Sequence, residues 1–461
     1  MIKHAVAIAL FVAGPATAQQ LTPAESADVD KLVAKTLADT GVPSAEIAVI
    51  RNGQLVMNKA YGKANEGLPA NADLPYQIAS NSKQFTAMAL ILLRDEGKLS
   101  LDDTVAKYIP GITDGGKITI RQLLSHTSGL QDFWPQDYMF SDMTVPTTPQ
   151  HIVDKWAKKP LDFEPGTRWQ YSNTGYVVAG MIAEKVSGEP LLSYLNRKVF
   201  TPLGMHPINQ DDTNTAAFPA GYHRYALGPV RVAAPPGAGW LYAAGELSMT
   251  AADLAKWDIA RMNRSLIPAR DWIEQETPVI RTDGRTNGYG LGVQNRYSRE
   301  RHIIDHGGEA VGFLTQNTVY PDTKDAIIVF TNADFSGAMG TLTAGLEKIL
   351  LNSPDAKLTG EGDRLADVKT LYSGLTKGTV NRAKLTSHLS EYFDKTVLGD
   401  YRKSLAPLGT PTIEAAGPPR LRGGFVNRNF TIKYPKETLE LVTYAEPGAD
   451  GRFEQFLVMP E

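Results

Sequence analysis

Apolar positions recur at helical spacing in one stretch above all. Phe85, Met88, Ala89 and Leu92 stand at i, i+3, i+4 and i+7, which lines one side of an α-helix. The run begins at or just after Ser80, and Gly97 supplies its stop. Thr22-Pro23 opens an earlier helix to about Asp39, with proline at the first helical position. Residues 45–51 and 54–61 predict two strands of a hairpin around Asn52-Gly53. Residues 119–125 predict a short helix that runs into the loop His126-Thr127-Ser128-Gly129-Leu130. Five prolines between 130 and 165 predict a loop-rich stretch with one helix near 150–158.

Further helices are predicted over 175–186 and 191–199, and residues 207–239 read as a long loop excursion. Thr250 to Asp253 resembles a capping box with Asp in place of Glu, opening a helix to about Asn263. Residues 301–306, 311–320 and 326–332 predict three strands, with turns at Gly307-Gly308 and Asp322-Thr323. An apolar helix over 337–351 closes the region. A strand pair, a helical middle, three strands and a last helix make an α/β arrangement. Its first and last strands pair in one antiparallel sheet around a helical insertion. A linker near 353–366 follows. The tail then shows a helix at 398–405 and strands at 430–434, 439–444 and 453–458. These predict a small C-terminal α+β domain over 366–461, beside a main domain over 19–355.

Composition narrows the class. The 461 residues are 42% hydrophobic and 21% charged, with net charge −3. That balance argues against a nucleic-acid or anionic-membrane partner. Residues 1–18 read as a secretory signal peptide: Lys3, a short apolar run from Ala5 to Ala13, and Ala16-Thr17-Ala18 as the cleavage site. The expectation is an exported protein, periplasmic or secreted, with no membrane anchor. There is no cysteine, hence no thiol nucleophile and no disulfide.

Three short stretches carry candidate chemistry. Ser80 and Lys83 form S-x-x-K at a helix start. Three residues is close to one turn, so hydroxyl and ammonium share a face. A serine needs a proton acceptor to act as a nucleophile. A lysine desolvated at a positive helix end has the lowered pKa for that task. Tyr171-Ser172-Asn173 places a phenol and an amide before the next helix. Tyr171 is expected to become a phenolate at working pH or to relay protons. Asn173 is expected to orient a substrate amide or to hold Lys83. Asp305-His306-Gly307-Gly308-Glu309 ends an apolar strand. Its glycines let a ligand approach the backbone closely. His306 is expected to polarise or orient the substrate, and the Glu309 N–H to join that of Ser80 as an oxyanion donor.

Together these stretches resemble the β-lactamase-related serine hydrolases: class C β-lactamases, D,D-carboxypeptidases, D-aminopeptidases and similar esterases. Ser80/Lys83, Tyr171/Asn173 and His306/Gly308 match that family's S-x-x-K, Y-x-N and H-x-G in order and rough spacing. Residues 123–130, 202–205, 245–253 and 289–292 look like the family too, so the resemblance covers about 30–350. It implies a β-lactamase/transpeptidase-like antiparallel sheet flanked by helices, with a helical subdomain. It implies Ser80 as nucleophile, Lys83 as proton acceptor and Tyr171 as the second acid/base, with no cofactor and no metal. The chain departs from the family's K-T-G and H-T-G members at Gly307, where those carry a threonine whose hydroxyl helps hold a substrate carboxylate. The resemblance therefore does not carry over recognition of penicillins or of a C-terminal D-Ala. Trp240, Tyr242, Phe133, Trp134 and Tyr138 lie in stretches that border the active site in related enzymes. They imply an apolar, uncharged acyl pocket. The tail past 360 lies outside the resemblance; weakly, it resembles cystatin-like modules.

The expected function is a serine hydrolase working through a Ser80 acyl-enzyme on esters, or on amides of small or D-configured residues. The alternatives are a β-lactamase or D,D-carboxypeptidase, and, from another class, a non-catalytic binding protein on the same fold. An α/β-hydrolase lacks support, because there is no G-x-S-x-G elbow. A metal site at His302 and His306 lacks a nearby third histidine. The partner expected is a small ester, amide or peptide substrate.

Overall fold

The computed structural model describes residues 20–136, 138–298, 301–351, 364–417, 419–422 and 425–460. The signal-like segment 1–18 and most of the 353–366 linker lie outside them. The chain divides into two compact units, Met1–Leu351 and Asn352–Glu461.

The first unit is built on a seven-stranded sheet. In spatial order its strands are Leu68–Pro69, Gln54–Asn65, Ser44–Arg51, Asp325–Thr331, Phe313–Tyr320, Arg301–Ala310 and Gln294–Ser298. The opening hairpin turns through Asn52 at φ 50° and Gly53 at φ 77°, the left-handed pair that a two-residue hairpin needs. Ser44–Arg51 then pairs antiparallel with Asp325–Thr331, so Ala45 faces Thr331 and Ile50 faces Ala326. The first and last strands of the unit thus meet at the sheet centre, and everything between is the insertion.

Both faces of these central strands are covered, which is why they read as nearly unbroken apolar runs. Ala45, Ile47, Val49, Ile327 and Val329 pack with Val29 and Val33 of the Pro23–Thr40 helix and Leu342 and Leu346 of the Ala338–Leu350 helix. Ala48, Ile50, Ile328 and Phe330 belong to the larger cluster on the other face. That cluster holds Phe85 and Met88 of the Lys83–Asp95 helix, Val177 and Val178 of the Asn173–Ser187 helix, and Trp257 of the Ala251–Met262 helix.

The structure corrects three expectations. Gly307-Gly308 is not a turn: the Arg301–Ala310 strand runs straight through it, and the chain reverses at Val311-Gly312, with Gly312 at φ 80°. Gly308 answers to crowding, not to a bend. A Cβ there would lie 2.2 Å from the Ile78 carbonyl oxygen and 2.2 Å from Thr315 Oγ1. The capping box at Thr250 is half made. Thr250 accepts from the Asp253 N–H at 3.1 Å, but the Asp253 carboxylate accepts from the His206 N–H at 2.9 Å. The stretch 207–239 carries short strands, among them Ile208–Asn209, Tyr222–His223 and Arg231–Val232. Neither the sheet-edge strand Gln294–Ser298 nor the helix Ala269–Glu276 was predicted from the sequence.

In the second unit, helices Leu365–Leu375, Ser387–Tyr392 and Lys395–Leu405 precede an antiparallel sheet. Its strands run Thr412–Ala415, Phe425–Lys433, Thr438–Ala445 and Phe453–Pro460, with Arg420–Arg422 paired on Phe425–Lys433. Phe430, Ile432 and Leu441 pack with Val368, Tyr372 and Phe393 in its core. Among the described residues no helix is long and apolar enough to cross a membrane.

Candidate active site

Ser80 sits in a tight 3-10 turn, Ala79–Ser82, that feeds directly into the Lys83–Asp95 helix. Ala79 is held at φ 48°, an uncommon conformation for a residue with a Cβ. The surroundings hold the turn there. Ser82 Oγ accepts from the Leu247 N–H at 3.1 Å, Asn81 Nδ2 donates to Thr315 Oγ1 at 3.0 Å, and Thr315 Oγ1 donates to the Ile78 carbonyl at 3.0 Å.

Lys83 is fully buried. Its Nζ lies 2.9 Å from Ser80 Oγ, 2.8 Å from Asn173 Oδ1 and 2.7 Å from the Ala244 carbonyl oxygen. Burial pushes its pKa down to about 7, against the pull of Asp132. The two amide oxygens can only accept. A neutral amine has two protons and one lone pair, so both protons go to those oxygens and the lone pair faces the Ser80 hydroxyl. The arrangement fits the uncharged base as completely as it fits the ammonium.

Tyr171 donates to Ser80 Oγ at 2.8 Å. Burial pushes its phenol up, and Asp132 pushes the same way. Its ring stacks 4.1 Å from that of His126. Tyr171 is therefore a neutral phenol in the resting site; the phenolate expectation fails because desolvation opposes the charged form.

Asn173 meets Lys83 through its carbonyl oxygen because Asp132 takes its other end. Asp132 accepts from the Asn173 N–H at 3.0 Å, from Asn173 Nδ2 at 3.2 Å and from the Trp134 N–H at 3.2 Å. Burial raises the Asp132 pKa. Sequence reasoning missed Asp132. Its signal was the short-range turn pattern Asp132-x-Trp134 after Ser128-Gly129.

His306 faces the cleft but both its ring nitrogens are engaged. Nδ1 lies 2.5 Å from the Gly307 carbonyl oxygen and Nε2 lies 2.8 Å from Tyr289 Oη. A carbonyl only accepts, so Nδ1 carries the proton and Nε2 accepts from Tyr289. Tyr289 Oη in turn lies 3.2 Å from His126 Nε2, while His126 Nδ1 accepts from the Ser172 N–H at 3.1 Å. The chain of donors therefore runs from His126 through Tyr289 to His306. Desolvation and the neighbouring Lys83 hold His306 down to about 4, and His126 also well below its ordinary value. Tyr289 is a second residue the sequence reading did not single out, although it opens Tyr289-Gly290-Leu291-Gly292.

Ser80, Asp132, Tyr171, Asn173 and His306 line a cleft of about 1350 Å³, whose walls also include Gly307, Gly308, Glu309, Trp134 and Tyr138. Trp240 is not among them. It is 1% exposed, donates to the Val145 carbonyl at 2.8 Å and packs against Phe133, Phe140 and Trp156. Gly237 and Gly239 let this segment lie against the 145–147 backbone, where a Cβ would stand 2.3 Å from Val145 C and from the Thr147 carbonyl oxygen. That contact turns the indole inward. The expected aromatic set splits accordingly: Trp134 and Tyr138 line the cleft, Trp240 and Phe133 are core, and Tyr242 packs against that core outside the cleft wall. His302 pairs with Asn295 Oδ1 at 2.8 Å, and among the described residues no group of three or more candidate ligands could hold a metal ion.

Comparison with known proteins agrees with this architecture. A family model described as Beta-lactamase matches residues 29–350. Penicillin-binding protein 4* of Bacillus subtilis (strain 168) is 29% identical over 321 residues, covering 65% of this chain and 70% of that protein. The D-stereospecific amidohydrolase from Streptomyces sp. superposes with a TM-score of 0.61 at 28% identity, covering 71% of this chain and 99% of that one. The D-amino acid amidase from Ochrobactrum anthropi SV3, complexed with L-phenylalanine amide, gives 0.61 at 25% identity, over 71% of this chain and 97% of that one. The expected fold class and family are borne out, and the chain belongs to the beta-lactamase family as a serine hydrolase of that superfamily.

Proposed function

We propose that this protein is an exported serine hydrolase that works through a Ser80 acyl-enzyme, on esters or on amides of small or D-configured residues. One observation carries the reading: Ser80 Oγ lies between Lys83 Nζ at 2.9 Å and Tyr171 Oη at 2.8 Å, with Lys83 otherwise bonded only to acceptors. Ser80 Oγ bonds to the substrate carbonyl carbon as its proton passes to Lys83. The backbone amides of Ser80 and Glu309 are the donors assigned to the developing oxyanion. Tyr171 gives its proton to the leaving oxygen or nitrogen, and its phenolate exists only while Lys83 is charged beside it. The incoming water returns a proton to Tyr171 and its hydroxide adds to the acyl carbon. Lys83 then reprotonates Ser80 as the acid departs.

His306, neutral and held on both sides, acts in this reading as an uncharged wall. The amide half of the substrate range rests on the names of the Streptomyces and Ochrobactrum neighbours. The ester half rests on Gly307, which offers no hydroxyl to a substrate carboxylate. Export rests on the character of residues 1–18. The name of the Bacillus relative supports a second reading, a penicillin-recognising enzyme. Intact-protein mass spectrometry after exposure to a fluorophosphonate, p-nitrophenyl butyrate, D-amino-acid amides and nitrocefin separates the readings. An adduct on Ser80 with ester or amide turnover is expected. Absence of any Ser80 adduct would make this a binding protein on the same fold.

A further inference from the structure

The cleft carries a cation that the chemistry above does not use. Arg224 follows the short strand Tyr222–His223, which pairs with Arg231–Val232. Tyr222 ties this hairpin to the sheet. Its N–H lies 3.1 Å from the Asn332 carbonyl oxygen and 3.3 Å from that of Gly312, and its own carbonyl accepts from the Asp334 N–H at 3.2 Å. Arg224 therefore stands at the Val311-Gly312 end of the Arg301–Ala310 strand, and it lines the cleft.

Its guanidinium lies over the Phe335 ring, 5.0 Å from the centroid. Among the described residues nothing accepts a hydrogen bond from it, and its buried Nε has no partner at all. The carboxylate at this end of the cleft, Asp334, instead accepts from the Gly312 N–H at 2.8 Å. His223 meets Tyr225 edge to face, ring centroids 4.6 Å apart. Polar groups that lose water without gaining partners are costly. A guanidinium fork matches a carboxylate in both shape and charge. Arg261, a fully buried arginine of this unit, has its oxygens supplied by the fold through Glu276, Gln84 and Gln275. Arg224 has not.

Position says which part of a substrate would reach it. Tyr171, the donor to the leaving group, packs near His306, with ring centroids 6.4 Å apart. The leaving group therefore belongs at the His306 end of the strand and the acyl group at the other. From Gly308, beside the Ser80 turn, the acyl chain would pass Ala310 and Val311, with Leu314 also in the wall. Three residues of strand span roughly 10 Å. We infer that Arg224 is an anion subsite, and that the enzyme takes acyl groups ending in a carboxylate roughly 10 Å from the scissile carbonyl. This rests on the Ser80 acyl-enzyme reading. The pocket is then apolar along this stretch and charged at its end.

The test compares the mono-p-nitrophenyl ester of suberic acid with p-nitrophenyl octanoate, which matches it in chain length but ends in a methyl group. The readout is the ratio of their kcat/KM values. Arg224→Gln should lower the suberate-to-octanoate ratio by about tenfold to a hundredfold, the scale of a charge-assisted hydrogen bond. Arg224→Lys should fall between the two. Free suberate should inhibit octanoate hydrolysis by the unmodified protein competitively, and free octanoate should do so less well. This second measurement needs no variant to fold. An unchanged ratio in Arg224→Gln, or equal inhibition by the two free acids, overturns the subsite while leaving the acyl-enzyme reading intact. No hydrolysis of either ester by the unmodified protein overturns the subsite, and absence of any Ser80 adduct as well overturns the acyl-enzyme reading with it.

Discussion

Lys83 and Arg261 are both buried cations of the first unit, and neighbouring residues bind them. Gln84, next to Lys83 in the chain, turns its Oε1 to Arg261 Nη2 at 2.9 Å. Arg261 also meets Glu276 at 3.1 Å and Gln275 at 3.1 Å, and Trp257 and Trp272 lie against its guanidinium. A carboxylate in contact keeps that arginine charged and fixed. Lys83 meets only neutral oxygens, and Asp132 reaches it through Asn173. Burial then wins, and the amine falls to about 7. The same depth gives a structural strut in one case and a base in the other. What separates them is whether a counter-charge touches the cation.

The largest test of this contrast is at the atom Lys83 serves. Ser80→Ala should remove hydrolysis by several orders of magnitude and leave the thermal midpoint close to that of the parent. Residual activity above a tenth of the parent would place the chemistry elsewhere. Next comes the coupling of the two proton carriers. Lys83→Met and Tyr171→Phe should each cost orders of magnitude in kcat, and the double variant little more than the worse single one. Additive losses would mean that they do not share one proton path.

Stability should divide the two cations in the opposite sense. Arg261→Met strands the Gln275 side-chain oxygen, leaves Gln84 Oε1 only its bond from Trp257 Nε1 and takes a partner from Glu276, which Arg264 still reaches. We expect a loss of about 3 kcal/mol, the lower end for breaking a buried pair, read by urea denaturation. Lys83→Met should cost far less and should change the pH dependence. The lysine's folded pKa is about 7 against an ordinary value of 10.5, so the unfolded chain binds the extra proton between them. Parent stability should rise with pH across that window relative to Lys83→Met. A pH-independent difference would contradict the lowered pKa. The same shift makes kcat/KM rise as pH climbs through about 7, with Lys83 losing its proton.

The smallest effect concerns the strand edge. Gly307 is open: a Cβ added there would meet Gln316 Oε1 as its nearest atom, at 3.4 Å, so a threonine fits. Gly307→Thr should shift the ratio of kcat/KM for nitrocefin over p-nitrophenyl butyrate upward by about tenfold. A parent that already prefers nitrocefin would sink the ester preference itself.

Local chemistry was legible in the chain. The Asn52-Gly53 hairpin, the proline-opened first helix and the Ser80–Lys83 face each depend on residues within one turn or one hairpin, and each formed as its pattern indicates. The central strands were also readable, because burial on both faces leaves few polar positions. Gly307-Gly308 misled for a related reason. A glycine pair signals a bend when only the chain's own dihedrals are considered, whereas Gly308 is required by an oxygen of Ile78, far away in sequence.

The sequence by itself therefore determined that a serine and a lysine share the start of a buried helix, and that an antiparallel sheet frames them. Only the tertiary structure decided what that lysine would be. Its acceptors come from Asn173 and Ala244, 90 and 161 residues along the chain, and Asp132 sets the amide's orientation. Likewise, packing against the 145–147 backbone sent Trp240 into the core, and Tyr289 engaged the second ring nitrogen of His306. Desolvation and charge pairing are properties of what surrounds an atom in space, and spacing along the chain does not encode them.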